Sequence, residues 1–92
     1  ALSSNNSFAI GYCHFNGLST PLSYTKAAEC FKTSAKENDE FGQNYLGKCY
    51  FFGYAVFGYK DALFWHLKAA EQGLCDSQYF AGFMYQYHHG CK

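Results

Sequence analysis

Nucleophilic catalysis needs a thiol or hydroxyl group beside a positioned base, and the thiols and imidazoles of this sequence are the candidates for such chemistry. They are Cys13, Cys30, Cys49, Cys75 and Cys91, with His14, His66, His88 and His89. No recognisable motif joins them. Cys13 and His14 are neighbours, but neighbouring side chains on a helix point about 100° apart, so the contact of a dyad is not expected. We predict that the chain is not an enzyme and has no catalytic residue.

The segment His88-His89-Gly90-Cys91 is the candidate for metal binding, because imidazole and thiolate are ligands of zinc and copper. Adjacent histidines on one helix or strand do not readily face a single ion, and no fourth ligand is evident. We interpret this segment instead as the frayed end of a helix. The glycines stand singly, within helices or at their ends, and form no loop that could cradle a phosphate. We expect no metal, cofactor or nucleotide.

Composition narrows the class of protein. The chain has 92 residues, seven lysines, no arginine and seven acidic residues, for a formal net charge of zero. One domain fits that length. The long-range field that attracts nucleic acid or an anionic membrane is missing, and no apolar run reaches the ~18 residues of a spanning helix. We therefore expect neither nucleic-acid binding nor membrane insertion. A hydrophobic share of 49% against 15% charged residues excludes a disordered tail.

The cysteine count is odd and no CxxC pair is present, which favours reduced, mostly buried thiols over a disulfide framework or a zinc ribbon. The first residues, Ala1 to Ser7, have neither the basic start nor the apolar stretch of a signal peptide, although one could have been removed. The compartment is left open, with the cytoplasm slightly favoured over the secretory route.

An internal repeat organises the chain. The segment from Ile10 to Gly17 recurs from Leu46 to Gly53 and again from Ala81 to His88, at spacings of 36 and 35 residues. Apolar residues at helical spacing, separated by breaker-bearing loops, predict helices at residues 5–16, 24–37, 40–52, 60–72 and 76–88. Asn38 and Gly73 stand where a left-handed residue ends a helix.

A glycine recurs inside the first helix of every unit, as Gly11, Gly47 and Gly82. Each costs ~1 kcal/mol against alanine in a helix, so a reason for its presence is needed. Without a Cβ, the helix can lie close against its partner at that point. Tyr50 and Tyr85, one turn further along, are expected to brace adjacent helices.

At these positions the chain resembles the Sel-one-like repeat family, a relative of the tetratricopeptide repeats. The matching residues are Leu46, Gly47, Tyr50 and Gly53 in a first helix and Ala62, Trp65, Lys68, Ala69, Ala70 and Gly73 in a second. The resemblance implies an all-α fold: an α/α superhelix, or solenoid, of about two and a half helix-turn-helix repeats, with units near 6–38, 42–73 and a partial 77–92 in one domain. It also implies an adaptor scaffold in protein complexes, and it carries over no catalytic residue.

In stacked helical pairs the first helices usually line the concave side, and the positions left over after packing are aromatic or amide-bearing. They are Phe8, Tyr12 and Phe15, then Asn44, Lys48 and Phe51, then Tyr79, Phe83 and Gln86. Such residues suit a partner peptide or helix, because rings anchor and amides bond a backbone. The alternative is that several belong to the core between repeats.

Two further surfaces are candidates for contact. The loop from Tyr54 to Tyr59 is unusually apolar and either folds under the helices or meets a partner. The last helix is expected to expose rings, Phe83 and Tyr87 among them, because no following helix within this sequence covers one of its faces. We therefore expect either that the chain is a fragment of a longer repeat array, or that this open C-terminal end pairs with another copy of the chain or with a partner. A structural subunit, buried permanently in a larger assembly or oligomer, is the alternative to an adaptor.

Overall fold

The helices predicted from the repeat are present in the computed structural model, which describes residues 2–90, with side chains from Ser7 onward. Over that range it has no strand and five helices: α1 Leu2–Asn16, α2 Tyr24–Lys36, α3 Glu40–Phe52, α4 Tyr59–Glu71 and α5 Cys75–Gln86. Each helix packs on the next one along the chain, in an elongated body of 39 × 26 × 17 Å. The predicted all-α solenoid of helical repeats is confirmed.

A residue in the left-handed conformation follows every helix. These residues are Gly17, Asn38, Gly53, Gly73 and His88. The next backbone N–H then donates to a carbonyl five residues back, as from Leu74 to Ala69 at 3.2 Å. The predicted roles of Asn38 and Gly73 are confirmed. Helix α5 ends at Gln86 and not at residue 88 as predicted, because His88 takes the left-handed position (φ 59°) that glycine takes elsewhere.

The start of α1 also differs from the prediction. It lies at Leu2, whereas the sequence indicated residue 5. Residues 3–6 are Ser, Ser, Asn and Asn, which supply no apolar periodicity from which a helix could be recognised.

Two apolar clusters form the core. The first is built from Ala27, Ala28, Phe31, Ala35, Leu46 and Cys49, and the second from Ala62, Leu63, Ala81 and Met84. Tyr50 packs against both clusters, as expected for a brace between helices. Tyr85, at the equivalent repeat position, is instead 51% exposed, because no further helix of the described chain packs over it.

The repeated glycines allow close contact in the two complete units. A Cβ on Gly11 would lie 2.8 Å from the ring of Phe31, and one on Gly47 would lie 2.7 Å from the ring of His66. Phe31 and His66 occupy the same repeat position on α2 and α4. At Gly82 the prediction of a close contact is wrong, since no neighbouring atom of the described chain lies within 4 Å of the place of its Cβ.

The four described cysteines are unpaired, but only Cys49 is buried. Cys13 and Cys30 are half-buried, and Cys75 is exposed. The expectation of mostly buried thiols is therefore wrong for three of the four. Cys91 lies outside the described residues. Among residues 2–90, no helix is both long and apolar enough to cross a membrane.

Candidate interaction surface

Side chains of the first helices, α1, α3 and α5, meet across the gaps between units and form one surface, called here the first-helix surface. Tyr12 of α1 and Tyr45 of α3 contact edge to face, with ring centroids 5.8 Å apart. Lys48 of α3 places its Nζ atom 4.5 Å from the Tyr45 centroid and 6.0 Å from that of Phe80 on α5. A cation held over two rings thus links successive units.

An aromatic cavity lies where α3 and α5 contribute to this surface. It measures about 260 Å³ and is lined by Phe51, Phe52, Tyr79, Phe80 and Phe83. Phe51 and Phe52 are successive residues, so they point in different directions: Phe51 is half-buried, whereas Phe52 is 53% exposed. Tyr79, at 69% exposed, forms the opposite wall. The cavity offers ring surfaces to an apolar side chain and no charged group.

A polar network next to Phe80, at the side of the cavity, fixes α5 against α3. The side-chain amide of Asn44 donates to Ser77 Oγ at 2.8 Å and to Asp76 Oδ2 at 3.1 Å. Lys48 Nζ lies 3.1 Å from the same carboxylate oxygen. Burial alone would raise the pKa of Asp76, but the hydrogen bonds from Lys48 and Asn44 and the lysine charge hold that pKa below its usual range. Asp76 is therefore an anion in neutral solution.

His66 is the buried end of this network. Its Nδ1 lies 3.2 Å from Ser77 Oγ, and its ring stacks on Phe80 with the centroids 4.6 Å apart and the planes 2° apart. Its Nε2 is buried with no hydrogen-bond partner. Burial lowers the pKa of His66 to about 4, with Asp76 raising it and Lys48 lowering it to smaller extents. The imidazole is therefore neutral and serves as a flat packing surface.

The sequence of these repeats matches one family model, described as Sel1 repeat, at residues 7–39 and again at residues 41–74. The two matches cover most of the chain. The chain belongs to the Sel1 repeat family. The resemblance inferred from the motifs is thereby confirmed. Sel1 repeats are in general protein–protein interaction modules, and the family is a non-catalytic one. No curated protein matches the chain.

The Sel1 helices bring most of the predicted binding residues to the first-helix surface, at different depths. Tyr12 and Tyr79 are exposed, while Phe15, Lys48, Phe51 and Phe83 are half-buried, as is Phe8. Asn44 is only 3% exposed. It occupies the repeat position of Tyr79, but it is covered by α5 and holds Asp76 in place from below. Gln86 is exposed on another face of α5 from the cavity.

Three residues of the surface were missed from the sequence. They are Tyr45, Phe52 and Phe80. Tyr45 and Phe80 stand 35 residues apart, one repeat length, so the recurrence of a ring at that position was the available signal. Phe52 and Tyr87 are also rings 35 residues apart, so the same signal was available for Phe52, although Tyr87 lies beyond the end of α5.

The open C-terminal end of this Sel1 chain exposes several rings. Tyr79, Tyr85 and Tyr87 are 69%, 51% and 54% exposed, and Phe83 is half-buried. A second cavity, of about 480 Å³, lies on the outer face of α5 between Gln78, Tyr79, Gly82, Phe83, Gln86 and Tyr87. It shares Tyr79 and Phe83 with the aromatic cavity, whereas its other lining residues do not line that cavity.

In the apolar loop between α3 and α4, some side chains are packed against the core and others are exposed. Tyr54 and Val56 pack against the first core cluster, whereas Phe57 is 66% exposed.

The two histidines of the terminal segment, the candidate for metal binding, lie apart: His89 lies against Tyr59 with ring centroids 4.3 Å apart, and His88 is exposed. Within residues 2–90 no group of three His, Cys, Asp or Glu side chains is placed to hold a metal ion.

Proposed function

We propose that this chain is a non-catalytic adaptor that binds a peptide or helix of a partner protein on its first-helix surface. The observation that carries the proposal is the aromatic cavity between α3 and α5, with Phe52 and Tyr79 exposed at its walls. Exposed rings around a pocket are typical anchor sites for a partner side chain, since aromatic residues contribute a large share of interface energy.

The chemistry of the surface defines the partner segment. A bulky apolar side chain, such as that of leucine or phenylalanine, fits a cavity lined only by rings. Beside it, the half-exposed carboxylate of Asp76 accepts a hydrogen bond from a partner N–H group or lysine. Tyr12 and Tyr45 extend the contact towards α1. The partner segment should thus carry an apolar anchor flanked by a hydrogen-bond donor.

The state of two thiols, Cys30 and Cys49, supports a role without catalysis by those residues. Burial raises the pKa of Cys49 to about 12, and burial and the charge of Glu29 raise that of Cys30. A thiol must ionise to act as a nucleophile, so neither thiol is suited to the task at neutral pH.

Selection of binders from a random peptide display library tests the proposal, with Phe52→Ser as the cavity variant. Phe64→Ser is the matched control, because Phe64 is 51% exposed on α4, outside the first-helix surface, against 53% for Phe52. Peptides with an apolar anchor should be enriched on the native chain, and Phe52→Ser should weaken their binding at least 10-fold. Equal loss with both variants, or no loss with Phe52→Ser, contradicts the proposal.

A permanent structural subunit is the second candidate, and the exposed ring of Phe57 favours it. A subunit of that kind aggregates when it is purified alone, because its buried contacts are missing. An adaptor remains in solution as discrete monomers or small oligomers. Light scattering during purification separates the two, and aggregation that Phe57→Ser relieves would support the subunit.

A further inference from the structure

Within residues 2–90, no helix packs on the outer face of α5 as α2 and α4 pack on the equivalent faces of α1 and α3. Rings from the second helix of each unit, Phe31 and His66, fill the space beside Gly11 and Gly47. Beside Gly82 no neighbouring atom of residues 2–90 lies within 4 Å, and the cavity of about 480 Å³ opens there. The face is therefore able to receive a helix at close range.

The residues around Gly82 read almost the same in both directions. Residues 78–86 are QYFAGFMYQ, with glutamine four residues before and four after Gly82 and tyrosine three before and three after. Positions three and four residues apart share one face of a helix. All of them are exposed: Tyr79 by 69%, Tyr85 by 51%, and Gln78, Gly82 and Gln86 as well.

We propose that a second copy of this chain binds this face, with the two α5 helices antiparallel and a two-fold axis passing between the two Gly82 residues. A two-fold axis perpendicular to the helices places the residue n positions after Gly82 beside the residue n positions before it in the second copy. Gln78 then meets Gln86 of the second copy, and Tyr79 meets Tyr85 of the second copy. Each contact occurs twice.

The polar groups are complementary in this arrangement. The side-chain amide nitrogen of Gln78 donates to the carbonyl of Ala70 at 3.3 Å, which leaves Oε1 of Gln78 to accept from Gln86 of the second copy. Asp76 is the only charged residue of α5, and it is paired with Lys48 of α3. The contact therefore buries no unpaired charge, which would be costly. The absent Cβ at Gly82 lets the two backbones approach.

The expected dimer is weak and reversible, because one short helix from each copy buries less than the ~1,200 Å² of a standard interface. Tyr79 belongs both to this contact and to the aromatic cavity, so the tests change only Gln78, Gly82 and Gln86, which do not line that cavity. A failure of the dimer in those tests therefore leaves the proposed adaptor function untouched. The competing occupant is a helix of a partner or of another repeat that carries a ring, as α2 and α4 do at Phe31 and His66.

Sedimentation equilibrium between ~10 μM and ~1 mM tests the pairing with four charged double variants. The like-charged pairs, Q78E/Q86E and Q78K/Q86K, should each lose at least 10-fold in self-association, and a mixture of the two should recover it. The complementary pairs, Q78E/Q86K and Q78K/Q86E, should associate by themselves as well as the native chain or better. In a parallel pairing, residue 78 would instead meet residue 78 of the second copy, and both complementary variants would repel themselves. Loss of association in both complementary variants would therefore overturn the antiparallel geometry.

Gly82→Leu supplies a second measurement, since the added side chain meets no atom of its own chain but blocks the approach of a second helix. It should abolish association while the circular dichroism spectrum stays helical. A native chain that is monomeric at ~1 mM overturns the proposal. A synthetic peptide of residues 59–72 provides the other decisive result. If it binds the native monomer and Gly82→Leu prevents that binding, the face is built for a ring-bearing helix, and the proposal is overturned.

Discussion

Gly47 lies directly against the imidazole of His66, such that a Cβ at position 47 would sit 2.7 Å from Nε2 of the ring. His66 has no room to move, because its other face stacks on Phe80 at 4.6 Å. Replacing Gly47 by leucine should therefore destabilise the fold by ~1 to 3 kcal/mol through overpacking, despite the better helix propensity of leucine. Urea unfolding measures this change in the free energy of unfolding. A variant more stable than the native chain would show that the packing account is wrong.

The same substitution at the equivalent position of the third unit should have the opposite sign. Gly82→Leu adds a side chain to open space. The free energy of unfolding of the monomer should rise by up to ~1 kcal/mol, from helix propensity alone. Urea unfolding in dilute solution, where association is absent, measures this. A loss comparable to that of Gly47→Leu would mean that the two glycine environments do not differ.

Stability should fall as the solution is acidified between pH 6.5 and pH 4. The pKa of His66 is lowered from 6.5 to about 4 by burial in the folded chain, so the unfolded chain takes up a proton first as the pH falls. The contribution of the neutral His66 ring to the free energy of unfolding is complete above pH 6.5. It falls by up to about 3 kcal/mol as the pH is lowered to 4. Unfolding curves at several pH values measure this loss.

His66→Phe should remove most of that pH dependence. Phe31 occupies the same repeat position beside Gly11, so the first unit already accommodates a phenyl ring there. If the acid-induced loss of stability persists in His66→Phe, that loss comes from another group.

Asn44 should matter for stability and Gln86 should not, although the sequence suggested the same role for both. Asn44→Ala removes two side-chain hydrogen bonds that are largely buried, to Ser77 and Asp76, and should cost ~1 to 3 kcal/mol. Gln86→Ala changes an exposed side chain and should fall within ~0.5 kcal/mol. Chemical unfolding of both variants compares them, and equal values would remove the structural role assigned to Asn44.

Much of the architecture follows from local signals in the sequence. The recurrence of Gly11, Gly47 and Gly82 at 36 and 35 residues defines the repeat, and Asn38 and Gly73 mark where helices end. Such features are readable because they depend on backbone conformation and on contacts between sequence neighbours. The end of α5 was misplaced because His88 takes the left-handed conformation that glycine or asparagine takes after the other helices.

The exposure of each repeat position was decided only by the tertiary structure. Asn44 and Tyr79 are equivalent in the repeat, yet one is 3% and the other 69% exposed, because α5 covers Asn44 and no helix of the described chain covers Tyr79. Likewise, nothing local pairs His66 with Phe80 or Lys48 with Asp76. By itself the sequence determined the repeated helices and their family. The depth of each side chain depends on which neighbouring helix is present, and only the packed solenoid determines that.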